Sequence, residues 1–331
     1  MLKVAILDDY AHQALALVDW SALPAGSEIT TFDHPLSEAE AASALRPFDV
    51  LCTLRERMAL PRSLIERLPN LKLITIVGMG LANLDMQAAS DHGVVVCHSD
   101  FRRPAFAGVA NATPELAWGL MIATVRHIAQ EDRRLREGGW QSSIGVILAG
   151  RTLGLLGLGR IGKRMAEYGQ VFGMDVIAWS QNLTADAAGA VGVTRVEKDA
   201  LFARSGVLSI HVQLSERTRG LVTARELGLM KPDAYLINTS RGPIVDEAAL
   251  IAALREGRIA GAGLDVFDAE PLPAAHPFRT MGTVTLTPHL GYNTAETLAA
   301  FWGDMPEAIA AFAAGAPIRG ANPQALTRRE G

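Results

Sequence analysis

The sequence predicts an α/β protein in which parallel strands are covered by helices on both faces. Short apolar runs rich in Val, Ile and Leu alternate with longer segments of helical periodicity along most of the chain. A glycine-rich turn stands directly between one such run and an amphipathic segment. With 331 residues, of which 49% are hydrophobic, the chain is long enough for two domains.

The first third of the chain contains one set of predicted elements. Strands are predicted at Lys3–Leu7, Asp49–Thr53, Lys72–Val77 and Val94–Cys97. A helix is predicted at Pro61–Leu68, because proline is favoured in the first turn of a helix. A longer helix is predicted from Thr113 to Glu137, since two glycines follow it and glycine commonly ends a helix. We expect this long helix to bridge two domains.

A second set of predicted strands begins after Arg151. They are Thr152–Leu156, Asp175–Trp179, Val207–Val212, Ala234–Asn238, Gly261–Phe267 and Thr283–Thr287. Together with the helical segments between them they predict roughly 140 residues of doubly wound sheet. The segment Asn293–Ala314 is again helical in pattern, and the polar end NPQALTRREG is expected to fray.

Charge and cysteine content argue against several classes of protein. Lysine and arginine total 31 against 35 acidic residues, so the net charge of −4 leaves no positive excess for a nucleic acid or an anionic membrane. This balance favours a small-molecule partner. Cys52 and Cys97 form neither a CxxC pair nor a disulfide framework, which predicts no metal site and a reducing, cytoplasmic compartment. The residues MLKVAILDDY lack the order of a signal peptide, and the apolar stretches are too short to cross a bilayer.

The glycine-rich turn joins the predicted strand Thr152–Leu156 to an amphipathic helical segment. Gly157, Gly159 and Gly162 have GxGxxG spacing there. In nucleotide-binding sites the first glycine permits a tight turn, the second lets the backbone approach a pyrophosphate, and the third lets helix and strand pack closely. A turn without a ligand can have the same spacing, so it is the strand and the helix on either side that favour dinucleotide binding.

The next predicted strand bears on the choice between NAD and NADP. In a typical NAD site an acidic residue at the end of this strand holds the ribose hydroxyls. Here the strand is followed by Ser180, Gln181 and Asn182, so no carboxylate repels the extra phosphate of NADP. No Arg or Lys stands in the turn to attract that phosphate either. We therefore predict NAD as the cofactor and leave NADP open.

Three residues of the C-terminal half suit the reduction of a 2-keto acid. Arg241, Glu270 and His289 each follow a predicted strand, and ligands of open parallel sheets bind outside the carboxyl ends of the strands. An arginine grips a carboxylate with two hydrogen bonds, and a histidine can donate a proton near neutral pH. A glutamate in contact with an imidazole keeps it charged and fixes its tautomer. Each residue alone is as readily structural, so the prediction depends on all three converging.

The motifs of residues 151–292 resemble those of the D-isomer-specific 2-hydroxyacid dehydrogenases, the family of phosphoglycerate dehydrogenase, glyoxylate/hydroxypyruvate reductase and D-lactate dehydrogenase. The motifs, in the family's order, are RTLGLLGLGRIGKRMAEYG, INTSRGPIVDE, LDVFDAEPLP and TLTPHLGY. The resemblance implies that Arg241 binds and polarises the substrate, that His289 is the acid and base, and that Glu270 is the partner of His289. It also implies that Asp265, in GAGLDVF, holds the nicotinamide carboxamide.

The resemblance implies further contacts with cofactor and substrate. Besides the three glycines and Asp265, the implied cofactor residues are Thr113, Arg160, Ile161, Ser180, His211, Val212, Gln213, Thr218, Thr239, Ser240 and Gly291. The segment TLRERM is similar to the family's substrate-side loop, which makes Arg55 a candidate anion contact. The segment VGMGLANLD is similar to a motif whose amides receive the substrate carboxylate, which makes Met79 and Gly80 candidates.

This sequence departs from the family's pattern at three places. Ala82 replaces an acid that is usual there, and Gln213 stands where a proline is common near the adenine. The segment CHSDFRRPAFAGVANATPE, residues 97–115, is several residues longer than the family's norm. These departures bear on the identity of the substrate and leave the catalytic three residues intact.

The resemblance also implies the architecture and the assembly. A discontinuous flavodoxin-like substrate domain is expected from residues 1–112 and 293–331. A Rossmann dinucleotide-binding domain is expected to be inserted at 113–292. The family likeness further implies a homodimer formed through the cofactor domain, and the apolar helix after Thr113 is compatible with it.

Two other interpretations stay open on the sequence alone. A protein of the same fold could bind NAD(H) to regulate partners without significant turnover, as the transcriptional corepressors of the family do. Asp8 and Asp9 after the first strand allow a metal or phosphoacceptor site, although the chain lacks the other features of a signalling receiver. Among the remaining histidines, His98 is a weak candidate for a substrate contact, and His211 is expected at the cofactor side or in the core.

Overall fold

The computed structural model describes residues 1–55, 57–77, 83–100, 102–103 and 106–327. The chain divides into two compact units. Met1–Val109 and Thr294–Gly331 form the first, here called the split unit, and Ala110–Asn293 form the second, the central unit. Each is built on a parallel sheet with helices, which confirms the predicted α/β class with two doubly wound sheets.

The sheet of the split unit has five parallel strands in the order β2-β1-β3-β4-β5, which is the flavodoxin-like order. Their bounds are β1 Lys3–Ile6, β2 Glu28–Thr31, β3 Val50–Thr53, β4 Leu73–Ile76 and β5 Val95–His98. Strand β2 is absent from the predicted set. It is an edge strand of sequence EITT in which every second residue is exposed, so it lacks the continuous apolar run of a buried strand.

The helices of the split unit come from both ends of the chain. They are α1 Ala14–Leu17, α2 Glu38–Ala44, α3 Arg62–Ile65, α4 Met86–Asp91, α12 Ala295–Gly303, α13 Met305–Ala313 and α14 Gln324–Thr327. The predicted helix Asn293–Ala314 is thus two helices that meet at Asp304. The carboxylate of Asp304 is buried, forms an ion pair with Arg103 and accepts a hydrogen bond from the amide of Asp100. Helix α13 packs against β4 and so covers the sheet.

A buried asparagine fastens the C-terminal segment to β5. The Asn322 side chain accepts a hydrogen bond from the Val96 amide at 2.8 Å and donates to the Val94 carbonyl at 2.9 Å and to Ser90 Oγ at 3.1 Å. Asn322 is 1% exposed. The expectation that NPQALTRREG frays is therefore wrong for its first residue. The polar side chain of Asn322 forms buried hydrogen bonds and is not exposed to solvent.

The sheet of the central unit has seven parallel strands in the order β12-β11-β10-β9-β6-β7-β8. Their bounds are β6 Thr152–Leu156, β7 Asp175–Trp179, β8 Thr194–Arg195, β9 Val207–Ile210, β10 Tyr235–Asn238, β11 Gly261–Leu264 and β12 Val284–Leu286. The strand order reverses between β6 and β9. In doubly wound sheets this reversal opens a crevice at the carboxyl ends of the strands, and ligands bind there.

The central unit has two helices where the sequence predicts one. Its helices are α5 Ala112–Val125, α6 Ile128–Arg136, α7 Arg160–Val171, α8 Ala185–Gly189, α9 Lys198–Arg204, α10 Ala224–Leu229 and α11 Glu247–Arg255. The single helix predicted at Thr113–Glu137 is wrong: α5 and α6 are separated at His127, whose backbone is left-handed with φ of 54°. A left-handed residue ends a helix, and with neither Gly nor Pro at this point the sequence carries no signal of the break.

Within the described residues, no helix combines the length and the apolar character needed to span a membrane.

Candidate active site

Backbone packing accounts for two of the three glycines of the turn after β6. Gly157 has φ of +104°, and a Cβ there would lie 2.6 Å from the carbonyl oxygen of His211. A Cβ on Gly162, in the first turn of α7, would lie 2.2 Å from the carbonyl oxygen of Gly157. Both distances are far below van der Waals contact, so strand, turn and helix close up only around glycine.

Gly159 differs, because no neighbouring atom among the described residues requires a glycine there. A Cβ on it would meet none of their heavy atoms within 4 Å, and it is the N-cap of α7 without a side chain to cap the helix. Free N–H groups at a helix N-terminus and open space above them suit a pyrophosphate. The residues present therefore fit a dinucleotide, with Arg160 and Ile161 following in the first turn of α7.

We expect Gly159→Ala to weaken NADH binding by about tenfold or more without lowering the melting temperature, because the added methyl group enters the ligand's space and not the protein's. Fluorescence titration with NADH and a thermal melt measure the two quantities. Gly228→Ala is the matched control, since a Cβ at Gly228 also meets nothing within 4 Å but lies in α10. Equal NADH affinity in both variants would remove Gly159 from the proposed cofactor site.

The residues after β9 form a tight loop beside the glycine turn. His211 Nε2 lies 2.8 Å from Ser209 Oγ, and its Nδ1 is buried with no hydrogen-bond partner in the described structure. Burial lowers the pKa of His211 to about 3, so this imidazole stays neutral. The hydroxyl of Thr218 donates to the carbonyl of Gln213 at 2.6 Å and closes the loop. Val212 lies on the same side, where its Cγ1 would be 2.9 Å from a Cβ on Gly157.

The turn after β10 holds Arg241 in place. The Asn238 side chain accepts from the Ser240 amide at 3.0 Å and donates to the Arg241 carbonyl at 3.0 Å, so it bridges the turn. The hydroxyl of Ser240 donates to the Ile210 carbonyl at 2.7 Å and ties this turn to β9. Thr239 is buried, and its hydroxyl has no hydrogen-bond partner in the described structure.

Asp265 follows β11 and organises the loop that carries His289. Its carboxylate is fully buried and accepts hydrogen bonds from Thr287 Oγ1 at 2.7 Å, the Leu290 amide at 2.7 Å and the Gly291 amide at 2.9 Å. Burial raises the pKa of Asp265 against the opposing effect of these bonds. No pattern in the sequence predicts these bonds, and the implied contact of Asp265 with the nicotinamide carboxamide stays a prediction.

His289 and Glu270 are in direct contact. His289 Nδ1 lies 2.5 Å from Glu270 Oε2, and the ring packs edge-on against Tyr292 with centroids 5.8 Å apart. The His289 backbone is left-handed, with φ of 55°, and its amide donates to the carbonyls of Asp265 and Thr287. A non-glycine residue in this region is held there by its surroundings. The contact at Nδ1 directs Nε2 away from Glu270.

Glu270 is held as a carboxylate. Burial works to raise its pKa, but the hydrogen bond and charge of His289, the Phe267 amide and the charge of Arg241 together hold the pKa below its ordinary value. The Phe267 amide donates to Glu270 Oε1 at 2.9 Å. The peptide bond between Glu270 and Pro271 is cis.

The three residues meet at one edge of the central sheet. Arg241 follows β10, Glu270 follows β11 and His289 follows β12, and these strands are neighbours in the sheet. Asp265 Oδ2 would lie 3.2 Å from a Cβ on Gly291, and Thr113 Cγ2 would lie 3.3 Å from it, so α5 begins beside this loop. A guanidinium, an imidazole and a carboxylate thus follow three neighbouring strands of the same sheet.

The other predicted site residues are placed as follows. Ser180 is half-buried directly after β7, and Arg55 follows β3 in the split unit with a left-handed backbone, φ of 53°. Met79 and Gly80 lie outside the described residues. Asp9, a candidate for a metal or phosphoacceptor site, has a structural role: its carboxylate accepts hydrogen bonds from the amides of Gln13 and Ala14. No group of three or more potential metal ligands occurs in the described part of the chain.

A known family matches the part of the chain that forms this site. The model of the NAD binding domain of D-isomer specific 2-hydroxyacid dehydrogenases matches residues 118–291. The chain belongs to the D-isomer-specific 2-hydroxyacid dehydrogenase family. The resemblance seen in its motifs is thereby confirmed.

Similar proteins and structures agree with the family. A glyoxylate reductase of Aeropyrum pernix is 38% identical over 262 residues, 76% of each chain. A hydroxypyruvate reductase of Thermotoga maritima is 36% identical over 274 residues, 81% of this chain and 86% of that one. The structure of a phosphoglycerate oxidoreductase from Vibrio cholerae superposes with a TM-score of 0.88 at 34% identity and covers 96% of this chain and 100% of that one.

Membership in the D-2-hydroxyacid dehydrogenases establishes the class of reaction. The chain is an NAD-dependent oxidoreductase of the family that acts on small 2-hydroxy and 2-keto acids. The prediction of an enzyme with NAD as cofactor is confirmed at this level.

Proposed function

We propose that the chain reduces a small 2-keto acid to the D-2-hydroxy acid with NADH, and catalyses the reverse reaction, with Arg241, Glu270 and His289 as its catalytic residues. The observation that carries the proposal is the 2.5 Å contact between His289 and Glu270, which follow β12 and β11, with Arg241 following the neighbouring strand β10. Two relatives named for the reduction of glyoxylate and hydroxypyruvate support the class of substrate.

Arg241 binds the substrate carboxylate in this proposal. A guanidinium presents two parallel N–H donors, which match the two oxygens of a carboxylate. The turn that carries Arg241 is braced by Asn238 and Ser240, so the side chain starts from a fixed backbone. Fixing the carboxylate orients the adjacent keto group, which lowers the entropic part of the barrier.

His289 donates a proton to the keto oxygen during reduction and takes it back during oxidation. The nicotinamide of the bound cofactor supplies the hydride for the keto carbon in reduction and accepts it in oxidation. Glu270, ionised and in contact with Nδ1, stabilises the protonated imidazole and fixes the ring with Nε2 directed away from it. One proton and one hydride are thus added to the carbonyl.

We propose that NADH is preferred over NADPH, on the basis of the loop after β7. Arg195 on β8 reaches this loop, since its Nε donates to the Leu183 carbonyl at 3.0 Å. Its Nη1 is paired with Glu197 at 2.7 Å, so its charge is already balanced and attracts an additional phosphate only weakly. A ratio of kcat/KM for NADH to NADPH below one would contradict this preference.

The activity is tested with purified protein, NADH or NADPH, and glyoxylate, hydroxypyruvate, pyruvate or phenylpyruvate, followed by absorbance at 340 nm. We expect turnover of at least one of these acids and a D-hydroxy acid as product. Binding of the dinucleotide without turnover of any keto acid would favour a regulatory protein that senses NAD(H) over the enzyme proposed here.

Glu270→Gln is expected to move the alkaline limb of the pH profile for reduction to lower pH. Wild-type Glu270 has a lowered pKa and is ionised throughout the neutral range, so it favours the proton on His289. Neutral glutamine lacks this charge and stabilises the protonated imidazole less, so we expect reduction at alkaline pH to fall by about tenfold. For oxidation, which needs the unprotonated ring, the acid limb moves to lower pH for the same reason. Initial rates between pH 5 and 10 measure both limbs.

The matched control for this variant is Glu167→Gln. Glu167 lies on α7 of the same unit and forms an exposed ion pair with Arg164. Its substitution is expected to leave both limbs in place. Coincident profiles for the wild type and Glu270→Gln would refute the role of Glu270.

We propose a homodimer formed through the central unit. Large apolar side chains are exposed on α6, on the segment that follows it and at the end of α7. They are Ile128, Leu135, Trp140, Ile144, Ile147, Val171 and Phe172. Five of the seven lie within residues 128–147, and exposed apolar side chains concentrated in one segment are typical of a protein interface; an interface between identical copies needs no second gene product.

Trp140→Glu combined with Ile144→Glu is expected to turn the dimer into a monomer, because Trp140 is 72% and Ile144 is 92% exposed and a buried unpaired carboxylate opposes association. Light scattering after size-exclusion chromatography measures the mass. The control is Leu15→Glu, a 52% exposed position of the split unit, which should leave the mass unchanged. A wild-type mass equal to one chain at micromolar concentration would exclude the dimer.

A further inference from the structure

The loop that carries Glu270 ends at a second histidine–glutamate pair. His276 Nε2 is 2.9 Å from Glu247 Oε1, and both side chains are largely buried, at 13% and 21% exposure. Glu247 is the first residue of α11, and His276 stands at the end of the loop that begins after β11 and carries Glu270. Neither residue belongs to the catalytic set proposed above.

The hydrogen bonds of His276 define its tautomer. Its Nδ1 accepts from the amide of Phe278 at 3.3 Å, so the ring caps the short helix that follows at Pro277–Thr280. Its Nε2 therefore carries the proton and donates to Glu247. Both ring nitrogens are satisfied by the neutral imidazole, and the ring is held between the loop and α11.

The Glu247 carboxylate joins the two ends of the Glu270 loop. Its Oε1 accepts a hydrogen bond from His276 Nε2, at the end of the loop. Its Oε2 accepts a hydrogen bond of 3.3 Å from the amide of Asp268, at the start of the loop. One residue before Asp268, the Phe267 amide donates to Glu270 Oε1 at 2.9 Å. A chain of direct contacts thus runs from α11 through the loop backbone to Glu270.

A glycine next to Arg241 fixes the same stretch of backbone. A Cβ on Gly242 would lie 2.1 Å from the carbonyl carbon of Phe267 and 2.5 Å from the Asp268 amide nitrogen. The turn that carries Arg241 is therefore packed directly against the start of the Glu270 loop. Arg279, in the short helix Pro277–Thr280, donates to the carbonyls of Leu272 and Pro273 inside the loop and limits the movement of the loop further.

We propose that Glu247 and His276 are positioning residues that clasp the loop at both ends and so hold Glu270 against His289. The inference rests on the proposed role of Glu270. It adds a requirement that this role alone does not make. The distance between Glu270 and His289 depends on the Glu247 carboxylate, which belongs to α11 and has no hydrogen bond to either side chain in the described structure.

Other charged groups lie near the clasp, the pair formed by Glu247 and His276, and affect the pH dependence of its variants. Asp246, the N-cap of α11, and Arg219 act on Asp268 together with Glu247 and His276. Burial of Asp268, with the negative charges of Glu247 and Asp246, raises the pKa of Asp268 against the opposing charge of Arg219. The wild type and the clasp variants are therefore compared with each other at the same pH at every point of the profile.

The experiment separates the two bonds of His276. His276→Asn keeps an acceptor for the Phe278 amide but is too short to reach Glu247. His276→Gln keeps an N–H donor directed toward Glu247. We expect His276→Asn to lower kcat for keto acid reduction by about tenfold and to move the alkaline limb toward that of Glu270→Gln, with the Kd for NADH within about twofold of wild type. His276→Gln should restore the limb.

Glu247→Ala tests the clasp from the side of the helix and serves if His276→Asn fails to fold. It should reproduce the shifted limb, and in a Glu270→Gln background either clasp variant should cause no further shift. His34→Asn, at an exposed histidine of the split unit paired with Asp33, is the control for the substitution itself.

The outcomes are distinct. If Glu270→Gln shifts the limb while folded His276→Asn and Glu247→Ala keep the wild-type limb and kcat, the clasp inference is wrong and the role of Glu270 stands. The clasp inference is equally wrong if its variants lower only the melting temperature. If Glu270→Gln itself shifts nothing, the role of Glu270 fails and the clasp inference falls with it.

Discussion

His289→Ala is expected to lower kcat for keto acid reduction by at least about a hundredfold, which is the low end of what a general acid contributes. The ring is the proposed proton donor, and its contact with Glu270 at 2.5 Å orients it for that purpose. Alanine removes the proton and leaves the rest of the site in place. The loop around residue 289 is held by Asp265 through Thr287, Leu290 and Gly291, whose bonds do not involve the imidazole.

Steady-state rates at 340 nm and the Kd for NADH by fluorescence distinguish a chemical effect from a structural one. We expect an unchanged Kd for NADH and a large loss in kcat. His92→Ala is a suitable control, because His92 is a partly exposed histidine whose Nε2 lies 3.8 Å from Glu66 in the split unit. A His289→Ala enzyme with kcat within about threefold of wild type would remove the imidazole from the chemistry.

Arg241→Ala is expected to lower kcat/KM by at least about a hundredfold, because the variant lacks the proposed bidentate charged contact with the substrate carboxylate, which also orients the keto group. Arg241→Lys should recover only part of the loss, since an ammonium group offers the charge without the planar pair of donors. Guanidinium added to the assay provides a further measure, because it can return to the cavity left by alanine and raise the rate of that variant.

Arg258→Ala is the matched control for Arg241. It removes an exposed guanidinium that pairs with Glu256 in the same unit. Saturation curves for each keto acid give kcat and KM separately. If Arg241→Ala keeps wild-type kcat/KM while the protein is folded and binds NADH, another cation holds the substrate carboxylate.

The parts of this protein that depend on short-range pattern were predictable from sequence. The apolar runs of β6, β7 and β10 are strands with buried interiors, and the bounds of β6 and β7 agree with the prediction. The placement of Arg241, Glu270 and His289 at neighbouring strand ends follows from parallel strands entering one sheet. Their convergence then follows from the strand order, because carboxyl ends of parallel strands share an edge.

The parts that depend on tertiary contact were not predictable. The left-handed backbone of His289 is imposed by hydrogen bonds to Asp265, a residue far away in the chain. The clasp of Glu247 and His276 joins residues 29 apart, and although Glu247 ends the motif INTSRGPIVDE, nothing in the sequence pairs it with His276. The break at His127 lacks the glycine or proline that usually signals one, so periodicity carries through it.

The divided character of the split unit constrains the order of folding during synthesis. Its sheet is made of N-terminal residues, whereas α13 and Asn322 come from the far end of the chain. The ribosome therefore synthesises the whole central unit before the segments that cover β4 and secure β5. Nascent chains usually complete their N-terminal domain first. Here the N-terminal sheet lacks its cover until α13 and Asn322 have been synthesised.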